Sequence, residues 1–384
     1  MGGGAIPPPT ISMNSEKMNV LHLLVSGGIG GIEVLMKNYA RYSAHRNIFV
    51  FTWGKGEISE DMVQEGIPVH ILNAGKENIF TTLRKTRNIC LNEKVDVVVS
   101  HNSAPLLKLA LVYLKLTVPN IQVVAYAHAN ARDICDATRK KGLLIRMMIH
   151  RLGFFAADGI VAISESVKKS LQDYLHISHK KIRRIYNGTP INLRTCNDVR
   201  TDERVPLKLV YVGRLASEKG VQDVIRVLAG MKDVVPFAFM IAGEGPYREK
   251  LEALVETLHL DERVHFMGMC RDVPSLLAQS DVFVHLPRWE EGFGITVIEA
   301  MAAGVICVVN NRGALPEIVE DGVNGIVLPG TAPEMLQEVL VRLMHLPEDD
   351  WSAMQQKAVE RAKNFSLEIF AEELDQYLLS ICRK

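Results

Sequence analysis

Short apolar runs alternate with segments of helical period along almost the whole chain, and the pattern is played through twice. In the first half, residues 19–25, 48–53, 69–72, 95–101, 121–128, 159–164 and 182–187 read as strands. The stretches between them, among them 32–44, 82–91 and 104–116, repeat their apolar side chains at three and four residues. A run that is apolar throughout is buried on both faces, as parallel strands are, and parallel neighbours need helical crossovers. Residues 189–206 are polar, carry two prolines and have no apolar period, which suits a linker. The rhythm then restarts with runs at 207–215, 237–242, 264–268, 281–286, 305–310 and 325–328, separated by helices such as 220–229 and 247–258. A chain of 384 residues is too long for one ordinary core. The expected fold is therefore α/β, with two Rossmann-like doubly wound domains at 18–188 and 207–365. A leader at 1–17 and an amphipathic final helix within 366–384 complete the division.

The bulk properties remove several function classes. Lysine plus arginine equals aspartate plus glutamate, 44 each, so no general basic field invites nucleic acid as a partner. Cys90, Cys135, Cys196, Cys270, Cys307 and Cys382 are scattered without a C-x-x-C pair, which argues against a zinc ribbon or redox motif and suits a reducing cytosol. No apolar run reaches membrane-spanning length. The leader holds Gly-Gly-Gly and Pro-Pro-Pro without a basic start or an apolar core; it reads as disordered, not as a signal peptide, and Met13 and Met18 are alternative starts.

The chemistry concentrates where expected strands end. The run ending at Leu286 is followed by Glu291-Gly292-Phe293-Gly294, and from Ile295 the period becomes helical, with Val297, Ile298, Met301 and Ala302 on one face. Glycines that uncover N–H groups before a helix start suit an anion. Glu291 and Glu299 bracket this turn, and each carboxylate can accept from two sugar hydroxyls. The spacing alone is common in a chain this rich in glutamate; its setting makes it a site. Earlier, Val212-Gly213-Arg214-Leu215 closes a strand and Glu218-Lys219-Gly220 opens the next helix. Arg214 could grip a diphosphate bidentately and Lys219 as a point charge. Ala242-Gly243-Glu244-Gly245-Pro246 closes another strand, and Phe266-Met267-Gly268 a further one.

In the first half, Ser26-Gly27-Gly28-Ile29-Gly30-Gly31 is glycine-rich but does not spell G-x-G-x-x-G, and the second strand lacks the acidic residue that holds a dinucleotide ribose. Gly30 and Gly31 leave the backbone open to another ligand, or serve as a tight turn. His128 closes the fifth strand at its carboxyl end, where open sheets bind ligands, and His101 closes the fourth as a weaker candidate. Arg139, Lys140, Lys141, Arg146, His150 and Arg151 interleave with Leu143, Leu144, Met147, Met148, Leu152 and Phe154, without an acidic residue. Such a stretch, 139–155, could lie on an anionic membrane surface, though a helix packed on the sheet with its charges in water is the more ordinary reading.

The blocks V-G-R-L-x-x-x-K-G and E-G-F-G-x-x-x-x-E, in this order, resemble the donor-binding signatures of retaining GT-B glycosyltransferases of the family-4 type. The resemblance covers nearly everything after Lys17 and is strongest in the second half. It implies two domains facing a central cleft, with the final helix packing back on the first. It implies catalytic roles for His128, Arg214, Lys219 and Glu291, and donor contacts from Gly30, Gly31, Gly213, Glu244, Gly268, Gly292, Phe293, Gly294, Ile295 and Glu299. Glu291 would touch the donor sugar and Glu299 the ribose. A retaining transfer of a hexose-type sugar from a nucleotide-sugar donor, UDP favoured and GDP next, to a glycan or lipid-linked glycan follows. No cofactor is implied, and no metal: no D-x-D occurs, and Arg214, Lys219 and the helix start could neutralise the diphosphate. The expected location is cytoplasmic, with a peripheral place on the inner membrane face as the alternative that 139–155 leaves open. A GT-B-type nucleotide-sugar epimerase and a non-catalytic sugar-nucleotide binder are the competing readings.

Overall fold

The computed structural model describes residues 17–101, 104–132, 143–191, 206–270, 272–330 and 334–383. Most of the leader and linker, Arg139 to Lys141, Arg271, Cys135 and Cys196 lie outside the described residues. The chain divides into two compact units: Met1–Gly188 with Leu367–Lys384, and Thr189–Ser366.

The first unit is built on a parallel sheet of β1 (Asn19–Leu24), β2 (Arg46–Phe51), β3 (Val69–Ile71), β4 (Val97–Ser100), β5 (Gln122–Ala127), β6 (Gly159–Ala162) and β7 (Ile182–Arg184), in the order β3-β2-β1-β4-β5-β6-β7. Leu21 lies beside Ile48 on one side of β1, and Val20 beside Val97 on the other. Every residue of β4 and β6 is buried, as strands covered by helices on both faces must be.

The second unit repeats the plan with β8 (Leu207–Val212), β9 (Phe237–Ala242), β10 (Val264–Gly268), β11 (Val282–His285), β12 (Ile306–Asn310) and β13 (Ile326–Leu328), ordered β10-β9-β8-β11-β12-β13. Its core joins Leu209, Ile225, Phe239, Val284 and Val308 with Trp351 from the helix Glu348–Lys363. In each unit the strand order reverses beside the first strand, between β1 and β4 and between β8 and β11. Such a reversal opens a crevice at the carboxyl ends of the two strands.

The final helix, Leu367–Cys382, belongs to the first unit. Its Asp375 accepts from the Tyr39 hydroxyl, from Ser43 Oγ at 2.9 Å and from the Ala44 amide at 2.8 Å. Tyr377 and Ile381 crowd Gly159 so closely that a Cβ there would lie 2.4 Å from the tyrosine hydroxyl.

The expected helix start at Gly220 needs correction for Lys219. Ser217–Lys219 form a separate 3-10 turn, and the α-helix runs Val221–Met231. Gly220 divides the two because it takes a left-handed conformation at φ +75°, and a Cβ there would sit 1.9 Å from the Leu286 carbonyl oxygen. Lys219 thus stands on a turn pressed against the end of β11.

Candidate functional site

The switch point of the second unit brings the two principal sequence blocks into contact. Lys219, on the turn after β8, places Nζ 2.7 Å from Glu291 Oε2, on the loop after β11. These side chains are only 16% and 13% exposed. His285, the last residue of β11, reaches the same oxygen with Nε2 at 3.2 Å, and Trp289 Nε1 donates to it at 3.3 Å. The Lys219 ammonium also lies 4.8 Å from the centre of the Trp289 ring. Burial opposes the charge on Glu291, but the His285 hydrogen bond and the Lys219 charge outweigh it and hold the carboxyl well below the usual carboxylate range. Glu291 is therefore an ionised acceptor at any physiological pH.

The loops carrying these groups are stitched by backbone. The Arg288 amide donates to the Glu218 carbonyl at 2.8 Å, and the Arg288 guanidinium grips Asp223 with both arms, at 2.7 and 2.6 Å. On the other side the Ala314 amide donates to the Glu291 carbonyl, and Glu290 accepts from the Gly313 amide at 2.7 Å. A Cβ at Gly313 would lie 2.1 Å from the Glu291 oxygen, so this buttress requires glycine.

Beyond the turn, Gly294 sits at φ +123° and starts the helix Ile295–Ala302. Among the described residues, the amides of Ile295 and Thr296 have no backbone acceptor, as first-turn amides do not. Glu299, in the second turn, accepts from the Thr189 hydroxyl at 3.4 Å, and burial pushes its carboxyl up. Phe293 turns its ring into the core, edge-on to Phe365 at 5.8 Å, so any donor contact it makes is through its backbone.

Neighbouring strand ends complete the rim. Gly213 and Gly243 both take positive φ, and a Cβ on Gly243 would meet the Gly213 oxygen at 1.9 Å. The Leu215 amide donates to the Glu244 carbonyl, and the Gly243 amide to Gly268. Arg214 is 62% exposed and pairs with Glu218 at 2.7 Å, while Glu244 pairs with Arg248. Lys219 and Glu291 are thus in direct contact, whereas Arg214, Glu244 and Glu299 are each engaged with other partners. His285 belongs to the run 281–286 and Trp289 lies between that run and the E-G-F-G block, yet neither carried an assigned role. The rule that flagged His128, a polar residue at the carboxyl end of a parallel strand, would also have flagged His285.

In the first unit, Gly30 caps the helix Gly31–Tyr42, and a Cβ there would meet the Glu33 carboxylate at 2.3 Å; Gly31 faces open space. His128 stands just past β5. Its Nε2 lies 3.0 Å from His101 Nδ1, His101 Nε2 lies 3.0 Å from His22 Nδ1, and His22 Nε2 lies 2.9 Å from Asn47 Oδ1. Burial lowers His22 to about 4 and His128 to about 3, so both rings are neutral. Lys108, fully buried without a hydrogen-bond partner among the described residues, is lowered to about 7 by burial. The helix Leu143–Ala156 does form, and Ile145, Met148, Leu152 and Phe155 lie on it more than half exposed at a spacing that shares one face.

The family model "Glycosyl transferases group 1" matches residues 200–365, and "Glycosyltransferase Family 4" matches 29–193. The chain is 26% identical over 250 residues to N-acetyl-alpha-D-glucosaminyl L-malate synthase of Bacillus anthracis, covering 63% of each. It is 31% identical over 206 residues to an uncharacterised glycosyltransferase of Methanocaldococcus jannaschii, covering 50% of this chain and 51% of that one. The matched stretch thus spans less than two thirds of either relative. The fold superposes on Anabaena HepE in complex with UDP-glucose with a TM-score of 0.78 at 21% identity, covering 94% of this chain and all of the other.

Proposed function

We infer that this chain, which belongs to the group 1 glycosyltransferases of the GT-B fold, moves a hexose-type sugar from a nucleoside-diphosphate donor to a glycan or lipid-linked glycan acceptor. The observation that carries the reading is the Lys219–Glu291 contact at the reversal point of the second sheet. It sets a cation, an ionised carboxylate and open helix amides around one strand junction. A diphosphate leaving group would take Lys219, Arg214 and the amides of Ile295 and Thr296 as its counter-charges. Glu291, released from Lys219 as the diphosphate arrives, would accept hydroxyls of the transferred sugar, and Glu299 those of the ribose. The backbones of Gly213, Glu244, Gly268, Gly292, Phe293 and Gly294 would line the donor. From the first unit, Gly30 and Gly31 would leave backbone open to substrate, and His128 would meet a substrate hydroxyl.

The transfer is read as retaining. Fixed protein charge stabilises the departing diphosphate, and the incoming hydroxyl attacks from the same face of an oxocarbenium-like sugar. The solved HepE complex holds UDP-glucose, which favours UDP as the nucleotide here. Among the described residues, no helix is long and apolar enough to cross a membrane. The exposed face of helix Leu143–Ala156 and the basic residues 139–141 are read as a contact to an anionic inner membrane surface, where a lipid-linked acceptor would be met.

Thermal-shift titration with UDP, GDP and ADP sugars, followed by product analysis with and without glycan acceptors, tests the proposal. UDP-sugars are expected to stabilise the chain most. An epimerised nucleotide sugar in the absence of acceptor, or no nucleotide response at all, would overturn it.

A further inference from the structure

Three histidines from three different strands of the first sheet form one continuous hydrogen-bonded row. His22 lies within β1, His101 just past β4 and His128 just past β5. Aromatic neighbours hold the rings in place. Phe49 stacks on His22 at 4.9 Å, and Tyr126 stacks on His128 at 4.3 Å with an 8° angle between planes. A row of three neutral imidazoles linked nitrogen to nitrogen can run in only two directions. In one direction every ring carries its proton on Nε2; in the other, every ring carries it on Nδ1.

The end of the row decides between them. Asn47 Nδ2 donates to the His45 carbonyl at 3.2 Å, and a carbonyl can only accept. That contact turns Asn47 Oδ1 toward His22 Nε2, so His22 Nε2 must be the donor. Its Nδ1 is then a bare lone pair that accepts from His101 Nε2–H. His101 Nδ1 in turn accepts from His128 Nε2–H. The far end of the row is His128 Nδ1, a buried lone pair with no hydrogen-bond partner among the described residues. We propose that Asn47, His22 and His101 are positioning residues that fix His128 in its Nε2–H tautomer, so that His128 Nδ1 meets substrate as an acceptor for a hydroxyl. The part of this that concerns substrate rests on the glycosyltransferase reading; the tautomer does not.

The arrangement also assigns what His128 does not do. Asn47 cannot take up a proton, so the row has no sink at its inner end and does not export one. Lys108 adds positive charge near His101 and His128 and disfavours a charged imidazole. His128 therefore orients a hydroxyl and does not serve as the acid for the leaving group.

The test is histidine-selective ¹⁵N NMR on the ligand-free full chain near pH 7.5, with the His128 signal identified by its loss in His128→Gln. The protonated nitrogen of His128 should couple to both ring C–H groups, as Nε2 does, and Nδ1 should be bare. A protonated Nδ1 on His128, or an even mixture of forms, overturns the proposal. Asn47→Leu removes the terminal acceptor and makes both directions of the row equivalent, so His128 should then show mixed tautomers. UDP-glucose turnover should fall roughly 10-fold at nearly unchanged KM, the scale seen when the partner orienting a metal-ligating histidine is removed. Asn47→Asp keeps an acceptor and should retain both the tautomer and the turnover. An unaltered His128 spectrum in Asn47→Leu overturns the positioning role. Absence of UDP-glucose turnover in the unaltered chain overturns the donor reading and the hydroxyl with it, while the ring spectrum still decides the tautomer.

Discussion

Lys219 and Glu291 are each other's counter-ions, and this sets the terms on which a diphosphate is received. In the proposed reaction the ammonium would exchange a carboxylate for a phosphate oxygen, and Glu291 would be freed to accept from sugar hydroxyls that arrive together with that phosphate. Loss of Lys219 would therefore remove one of the two proposed diphosphate cations and, among the described residues, leave the Glu291 carboxylate with His285 and Trp289. Lys219→Ala and Arg214→Ala should each lower turnover by roughly 10²–10³-fold, by analogy with loss of an oxyanion donor. Steady-state kinetics on purified variants with UDP-glucose checks this, and near-normal turnover in either would discount that residue. The two cations were singled out in sequence because Arg214 follows Gly213 at a strand end and Lys219 precedes Gly220 at an expected helix start. The role of Gly220 was legible only in part: its spacing marked a turn, but the close approach of the Leu286 carbonyl depends on β11 lying beside β8, which no local pattern encodes.

At the scale of elements, the runs at 237–242 and 264–268 coincide with β9 and β10, because glycine or proline bounds them sharply. Elsewhere the apolar runs overshoot the strands by a few residues: 95–101 contains β4, and 207–215 contains β8. The overshoot is informative, since the surplus residues, His101 and Gly213 to Leu215, are the ones that leave the sheet at its carboxyl edge and build the rims. Phe293 shows what only packing decides: its ring is core, edge-on to Phe365, which leaves its backbone for the expected donor contact. The helix Leu143–Ala156 supplies a further prediction. Its exposed apolar face, with Arg139, Lys140 and Lys141 preceding it in sequence, should bind anionic vesicles. Reversing those three charges should weaken pelleting with such vesicles by about 1 kcal/mol per basic residue lost. Unchanged pelleting would remove the membrane from the reading.

For the molecule as a whole, two separate cores carry different titrating groups. The histidine row and Lys108 belong to the first unit. A buried histidine whose folded pKa lies below its unfolded value takes up protons first in the unfolded chain, so stability falls as pH drops through 6.5 toward the folded value. His22 alone, lowered to about 4, should remove roughly 3 kcal/mol by pH 4. Lys108 acts at the other end of the scale: the unfolded chain holds its proton more tightly between about 7 and 10.5, so stability rises with pH across that window. The second unit has Glu291, whose depressed carboxyl contributes stability that is lost only as pH falls below about 4.5. Acid titration followed by calorimetry should show the first unit losing its transition before the second, and Lys108→Met should flatten the alkaline rise. Simultaneous loss of both would refute the assignment. None of this row was foreseeable from the chain alone beyond His101 and His128 as strand-end residues, because His22 and Asn47 join them only once β1 is flanked by β2 and β4.

The seating of Asp375 against Tyr39, Ser43 and Ala44 carries a consequence for biosynthesis. The first unit lacks its helix Leu367–Cys382 until the whole second unit has been translated. At roughly 5–20 residues per second, about 10–40 s separate the emergence of Gly188 from the arrival of that helix. Throughout this interval the surface around Tyr39 and Gly159 stands bare, and a nascent chain in that state is a natural client for a holding chaperone.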